Sequence, residues 1–499
     1  MKSAPWQVLG ILLGGFLLRV IQLDARPVWY DEAFAVLYAE KSFAQMWYGT
    51  VTQVQGAAAD VHPLFFYGLL HGWMNAVGQS AFAVRFMSVA FGVGTVAVMY
   101  RLTREWFEQT RGASLALLAA AIVACAPFHL AYSQEARMYA QLGFFAALFV
   151  LAYVMIEKKR GRAWWLLFVL SGAAMLYSHN LAVFFGLTLG VVIVVRARQS
   201  RNLQSLGPFV IAGAAMLLLW LPWLLLLPSQ MGKIQQAYWV AQPDVLTLLQ
   251  TLLTFTADFD NARFPPLLLP FALGVAVLLF VLLMFELMRG GWRDARIGFF
   301  AVMAGAPPLL IFLVSLWRPV YLTRTLMPSF LMLAVLVAWL LTRLPRVLRR
   351  AVMVVLALVT IATYAFYYPY ADFPRPPFRE GVAFLDAHVL PGDAIVHDNK
   401  MTYFPMHYYA HGDGLPQAFI ADPAGGGSDT LAYPTQEALD LFATNLENAT
   451  GSHPRVWFVI FRQAREESAH TGNLEWMRAH YHLAQEMTFH DLELYLFEK

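Results

Sequence analysis

The chain has 499 residues, of which 59% are hydrophobic and 13% charged, with a net charge of +3 and a mean hydropathy of +0.53. A water-soluble globule of this length needs far more polar surface, so these values exclude one and indicate a polytopic α-helical membrane protein. The single cysteine, Cys125, leaves no intrachain disulfide to form.

Eleven apolar windows are long enough to cross the hydrocarbon of a bilayer, near 6–23, 81–101, 112–131, 139–156, 163–178, 181–195, 206–227, 265–288, 297–316, 323–342 and 351–368. The first is expected to be a retained span rather than a cleaved leader, because Arg19 stands near its far end and no small-x-small site follows. Basic residues collect in alternate loops: Arg101, Arg104 and Arg111; Lys158, Lys159, Arg160 and Arg162; Arg196, Arg198 and Arg201; Arg289, Arg293 and Arg296; Arg343, Arg346, Arg349 and Arg350. The intervening loops are poor in them, which makes the first set cytoplasmic and sends the loop after the first span, and the C-terminus, outward.

That first outer loop, residues 24–80, is long. Ala33–Tyr48 and Leu64–Val77 are expected to form helices lying flat in the interface, anchored by Trp47, Tyr48, Tyr67 and Trp73. Beyond Tyr368, Pro369, Pro374, Pro376 and Pro377 suggest a stiff linker. Residues 369–499 then read as a small extracytoplasmic α/β domain beside a membrane domain of residues 1–368. Its expected strands are Ala394–His397, Phe419–Ala421, Val456–Phe461 and Leu492–Phe497, with helices near 378–388, 434–446 and 463–480. Gly425-Gly426-Gly427 is turn-like, and no phosphate-binding glycine loop or nucleotide signature is present.

Ionisable residues recur at the outward ends of the spans: Asp31, Glu32 and His62, then Glu135 and Arg137, His179, Asp258 and Asp260, and finally Arg318 and Arg324. Such groups at bilayer depth face a bundle interior or water and pair with one another, so a shared outward cavity is expected. In Trp29-Tyr30-Asp31-Glu32 the adjacent carboxylates point in different directions, so one can act as a general base while its neighbour pairs structurally. The same pair could instead place negative charge at the start of a helix. In Ser133-Gln134-Glu135-Ala136-Arg137-Met138-Tyr139, Glu135 suits a cation or sugar hydroxyls, and Arg137 suits a phosphate or a clamp on a carboxylate such as Glu32. His62 and His179 stand at loop positions where imidazole can ligate a divalent cation, steady a phosphate or satisfy a carbonyl. Arg324, at the mouth of the tenth window, suits a lipid phosphate or simple snorkelling.

The long loop with Asp31-Glu32, His62-Pro63-Leu64 and Ser133-x-Glu135-Ala136-Arg137-Met138-Tyr139 together resemble the GT-C glycosyltransferases, among them the protein O-mannosyltransferases and the lipid A aminoarabinose transferase. In topology the resemblance covers residues 6–368; it departs from many relatives at Pro63-Leu64, where they carry a doubled proline. It implies inverting transfer of a hexosyl or pentosyl group from a polyprenyl-phosphate donor on the non-cytoplasmic face of the plasma (inner) membrane. Asp31 and Glu32 would be catalytic; Arg137, Arg324, His62 and Tyr139 would bind the donor; Glu135 and His179 would hold a divalent metal, if one is used. Membrane lipids are the other expected partners, and nucleic acid is not one. A lipid or solute transporter is the competing reading, suggested by the polytopic form and by Pro222, Pro307 and Pro308 within the spans.

Overall fold

A computed structural model of the chain describes residues 5–108, 112–236, 240–259, 264–410, 415–422, 431–466 and 468–499. Arg111, Asp260 and Gly425-Gly426-Gly427 lie outside them. The first span is α1 (Pro5–Val20). The outer loop folds as α2 (Tyr30–Ala39), α3 (Phe43–Val51), a two-stranded hairpin of β1 (Gln53–Val54) and β2 (Ala57–Ala58), and α4 (Phe65–Val77). The bundle continues with α5 (Ala81–Trp106), α6 (Gly112–Cys125), α7 (Pro127–Ser133), α8 (Tyr139–Glu157), α9 (Ala163–Ser178), α10 (Ala182–Gln199) and α11 (Leu206–Leu224). After α12 (Leu227–Gln236) and α13 (Val245–Ala257), which fill the second long loop, come α14 (Leu269–Met288), α15 (Ala295–Ser315), α16 (Met327–Arg343) and α17 (Arg346–Tyr367).

Every expected window holds a helix, but not every helix has the reach. Among the described residues, eight are long and apolar enough to cross a membrane, nine if the bent α6–α7 pair is one span. The other two expected spans, α1 and α9, are 16 residues each, roughly 24 Å at 1.5 Å per residue. Burial separates the centre from the rim. The apolar windows of α8 and α16 are 83% and 78% buried, while those of α11 and α17 are 11% and 17% buried and present apolar side chains outward. A helix apolar all round, as α8 is, belongs in the middle of such a bundle.

The sharpest departure from straight spans is the 58° bend between α6 and α7. Pro127, at the first turn of α7, has no amide hydrogen to donate back to α6. The carbonyls this frees are capped by Arg19 of α1, which donates to Ala124 O at 2.9 Å and Val123 O at 3.3 Å; Arg19 also donates to Gly15 O of its own helix at 2.7 Å and contacts His129 Nδ1 at 2.7 Å. In a bilayer, backbone groups freed from a helix need an internal partner of this kind.

The outer domain begins with α18 (Phe378–His388), followed by β3 (Ala394–His397), α19 (Lys400–Tyr409), β4 (Gln417–Ile420), α20 (Tyr433–Leu439) and β5 (Ala443–Thr444). Strands β6 (Arg455–Phe461), β7 (His482–Phe489) and β8 (Leu492–Glu498) complete one sheet in the order β5-β4-β3-β6-β8-β7. The first four strands of that order are parallel; β8 and β7 join antiparallel. The expected strands and the helix at 378–388 are present, and the helix expected at 463–480 is matched by helices Arg462–Glu466 and Ser468–His480; the one expected at 434–446 stops at Leu439 before β5, and α19 and β7 are additional.

This domain sits directly on the outer loop. Phe404 of α19 lies 5.6 Å from the Tyr30 ring and 6.1 Å from that of Phe34, and Tyr409 Oη accepts the Val28 amide at 2.8 Å. Helix α20 packs on α3 so closely that a Cβ at Gly49 would fall 2.6 Å from that of Ala438. The expectation of interfacial helices therefore needs correcting. From Glu32 to Ala39, α2 is wholly buried between the two halves, and Tyr67 of α4 is buried too; Phe43, Trp47 and Tyr48 of α3 and Leu69 and Val77 of α4 remain outward.

Candidate active site

Asp31 and Glu32 occupy the first turn of α2, where successive residues are turned about 100° apart. They consequently meet different neighbours. Glu32 is fully buried and its oxygens are saturated: Arg85 Nε and Nη2 donate at 2.8 and 2.7 Å, Arg375 Nη1 at 2.7 Å, and the Ala136 amide at 3.0 Å. Burial alone would raise its proton affinity, but Arg85 and Arg375 outweigh it and hold the carboxyl far below the usual range. The partner expected for Glu32, Arg137, is elsewhere.

Asp31 keeps 17% of its side chain exposed. Arg324 Nη1 donates to its Oδ2 at 3.2 Å, and Arg137 Nε stands 4.0 Å from the same oxygen. No hydrogen bond to Oδ1 occurs among the described residues. Burial pushes the Asp31 carboxyl up, but Arg137, Arg324, His62 and Arg375 together bring it below its ordinary value. The result is an ionised carboxylate with one oxygen anchored and the other available.

Arg137 is the hub of the exposed side. Its Nη1 donates at 3.3 Å to Asp31 O and to Tyr67 Oη, and its Nη2 lies 3.3 Å from His62 Nε2. His62 is in turn tied to Asp60 through Nδ1 at 2.8 Å. Arg324 lies over the ring of Tyr139 at 5.2 Å. His179 packs against Tyr139 at 6.3 Å, and its Nδ1 accepts the Leu181 amide at 3.2 Å. Burial, reinforced by His62, Arg324 and Arg137, lowers the His179 pKa to about 3, so the ring is neutral.

Glu135 takes a different place from the one expected. Its Oε1 accepts from Arg375 Nη2 at 2.6 Å, and its buried Oε2 has no hydrogen-bond partner. The metal reading of Glu135 and His179 finds no ligand set. Among the described residues no three His, Cys, Asp or Glu side chains are arranged to hold an ion. The two candidate donors are engaged with Arg375 and a backbone amide, and Arg137 and Arg324 already supply positive charge beside Asp31.

The structure thus brings Asp31, His62, Arg137, Tyr139, His179 and Arg324 into one constellation and sets Glu32 and Glu135 behind it. Sequence reasoning missed Asp60, Tyr67, Arg85 and Arg375. Arg85 carried a signal, a lone arginine in the second turn of an apolar span, which is tolerated where a buried carboxylate awaits it.

Residues 61–226 match the sequence model of the dolichyl-phosphate-mannose-protein mannosyltransferase family. No curated protein matches the chain. Among solved structures, the chain is similar to apo ArnT from Cupriavidus metallidurans, at 12% identity and a TM-score of 0.63, over 99% of this chain and 98% of that one. The chain has the GT-C fold. ArnT bound to undecaprenyl phosphate is matched over the same shares at 14% identity and a TM-score of 0.60. The oligosaccharyltransferase of Archaeoglobus fulgidus matches at 12% identity and 0.55, over 93% of this chain and 70% of that one. Within this GT-C frame, the matched sequence segment includes His62 and the whole Ser133–Tyr139 run.

Proposed function

We propose that the protein is an inverting glycosyltransferase, moving a sugar from a polyprenyl-phosphate donor to an acceptor hydroxyl at the non-cytoplasmic membrane face. The observation that carries this reading is Asp31, ionised and partly exposed, with Oδ2 held by Arg324 and Oδ1 free. In the reaction, Asp31 Oδ1 accepts the proton of the acceptor hydroxyl as its oxygen bonds to the anomeric carbon. The bond from that carbon to the phosphate oxygen breaks on the opposite side, and the electron pair leaves with the polyprenyl phosphate. Arg137 and Arg324 supply positive charge for the departing phosphate. His62 and Tyr67 fix the Arg137 guanidinium, and Tyr139 supports Arg324.

Support for a lipid-phosphate donor comes from the GT-C fold, from the undecaprenyl phosphate held by a solved protein of the same fold, and from the outward-facing helices that let a lipid tail approach from the side. The basic loops support the placement of the site on the non-cytoplasmic side and, with α1 and α9 counted as crossings where the bilayer thins locally, eleven spans. The transporter reading loses ground, because Pro307 and Pro308 lie within one unbroken helix and the buried charge pairs gather at one end of the bundle. In purified protein given polyprenyl-phosphate sugars, Asp31→Asn should fold normally and release polyprenyl phosphate roughly 10²–10⁴-fold more slowly. Wild-type turnover in that variant would end this assignment.

A further inference from the structure

Arg375 belongs to the chain that leaves the last span for the outer domain, a stretch whose prolines suggest nothing but a spacer. Its side chain is 1% exposed and runs back into the membrane half. One guanidinium there ties three segments together. Nη1 donates to Pro27 O at 3.1 Å and to Glu32 Oε2 at 2.7 Å, Nη2 donates to Glu135 Oε1 at 2.6 Å, and the group lies 5.2 Å from the Trp29 ring centre. These segments are the run entering α2, the first turn of α2, and the turn between α7 and α8.

The same three segments set the geometry at Asp31. Asp31 precedes Glu32. Arg137 follows Glu135 by two residues and is linked to it by a backbone bond from Arg137 N to Glu135 O at 2.8 Å. The Ala136 amide, between them, donates to Glu32. Glu32 has Arg85 as a second cation, but Glu135 has no hydrogen-bond partner other than Arg375 among the described residues. Removing Arg375 would leave Glu135 as a buried carboxylate without its side-chain partner and the turn held to α2 without its guanidinium bridge, and Arg137 sits on that turn.

We infer that Arg375 is a positioning residue for the transfer reaction: by bridging Glu32 and Glu135 it fixes the Glu135–Arg137 turn against α2, so that Arg137 faces Asp31 only while the segment entering the outer domain is seated. The inference rests on the transferase reading, and Arg375 itself touches neither sugar nor phosphate. It therefore separates turnover from donor binding.

The test uses the full chain in lipid nanodiscs, with turnover of a polyprenyl-phosphate sugar and binding of polyprenyl phosphate measured separately. Arg375→Met should lower kcat on the order of 10²-fold, comparable to losing one charge-stabilising donor, while affinity for polyprenyl phosphate falls by a much smaller factor because Arg324 stays in place. Arg375→Lys, which keeps the charge but not the planar fork that reaches two carboxylates, should fold with an unchanged melting temperature and recover only part of the rate. That variant keeps the inference testable if Arg375→Met does not fold. Glu135→Gln added to Arg375→Met removes the stranded charge and should leave the rate low. Wild-type kcat in Arg375→Met or Arg375→Lys, full recovery in the double variant, or an affinity loss that matches the rate loss would each overturn the inference. An active Asp31→Asn would instead defeat the transferase reading itself, whereas an inactive Asp31→Asn beside an unaffected Arg375→Met defeats the inference alone.

Discussion

The two ends of the helical bundle carry charge in opposite ways. At the end where basic residues crowd the loops, ion pairs are wet: Arg289 and Arg343 both reach Glu286 at 3.4 Å with more than half of each arginine side chain exposed, and Lys158 joins Glu105 and Glu108 at the surface. At the other end the pairs are dry, with Glu32, Arg85 and Arg375 at 0–1% exposure. Exposed pairs contribute little because water and salt compete for them, and their geometry is loose. Buried pairs repay their desolvation only when every lone pair and proton is satisfied, so they tolerate one arrangement. Numbers of ion pairs do not distinguish the ends; definition does, and chemistry that needs a carboxylate aimed within tenths of an ångström belongs at the dry one.

That contrast can be broken by substitution. Arg85→Met strips Glu32 of two hydrogen bonds in a buried setting, and should cost on the order of 3–5 kcal/mol in a reversible unfolding assay; a loss under about 1 kcal/mol would mean the dry cluster is no better defined than the wet one. Arg324→Met should slow turnover on the order of 10²–10³-fold and also move the acid side of the pH profile. Asp31 acts as an anion whose carboxyl is held below its ordinary value, so activity is kept at neutral pH and lost as pH falls through that lowered value. Without Arg324 the loss must begin at higher pH, and a profile that does not move would detach Arg324 from Asp31. Arg343→Ala, at the wet end, should change stability by less than about 1 kcal/mol, and by less still at high salt.

The bundle was legible in the sequence because length and apolarity are local properties. Each window from 81–101 to 351–368 contains its helix, and Asp31, His62, Arg137 and Arg324 were recognisable as polar groups at the outward ends. Pairings were not. Glu32 and Arg375 are 343 residues apart, and nothing near either names the other. Proline in 369–377 reads as a spacer even though Arg375 is buried within it, and Pro405 inside α19 conceals the helix that docks on α2. Strand β7 escaped notice because most of its side chains face water and leave no clean alternation. Tyr67 reads as an interfacial anchor because a tyrosine on an apolar helix carries no mark of the arginine its hydroxyl meets.

The arginine that splints the α6–α7 bend has a bearing on how the protein is made. Arg19 lies in α1, yet the α6 carbonyls and the imidazole it serves are more than a hundred residues downstream. Until those arrive, its charge must be sheltered by headgroups or water at the membrane border. Insertion of the later helices then draws it inward, so the N-terminal helix is a component waiting for assembly, and a copy of the chain lacking it would be left with a bend that nothing caps.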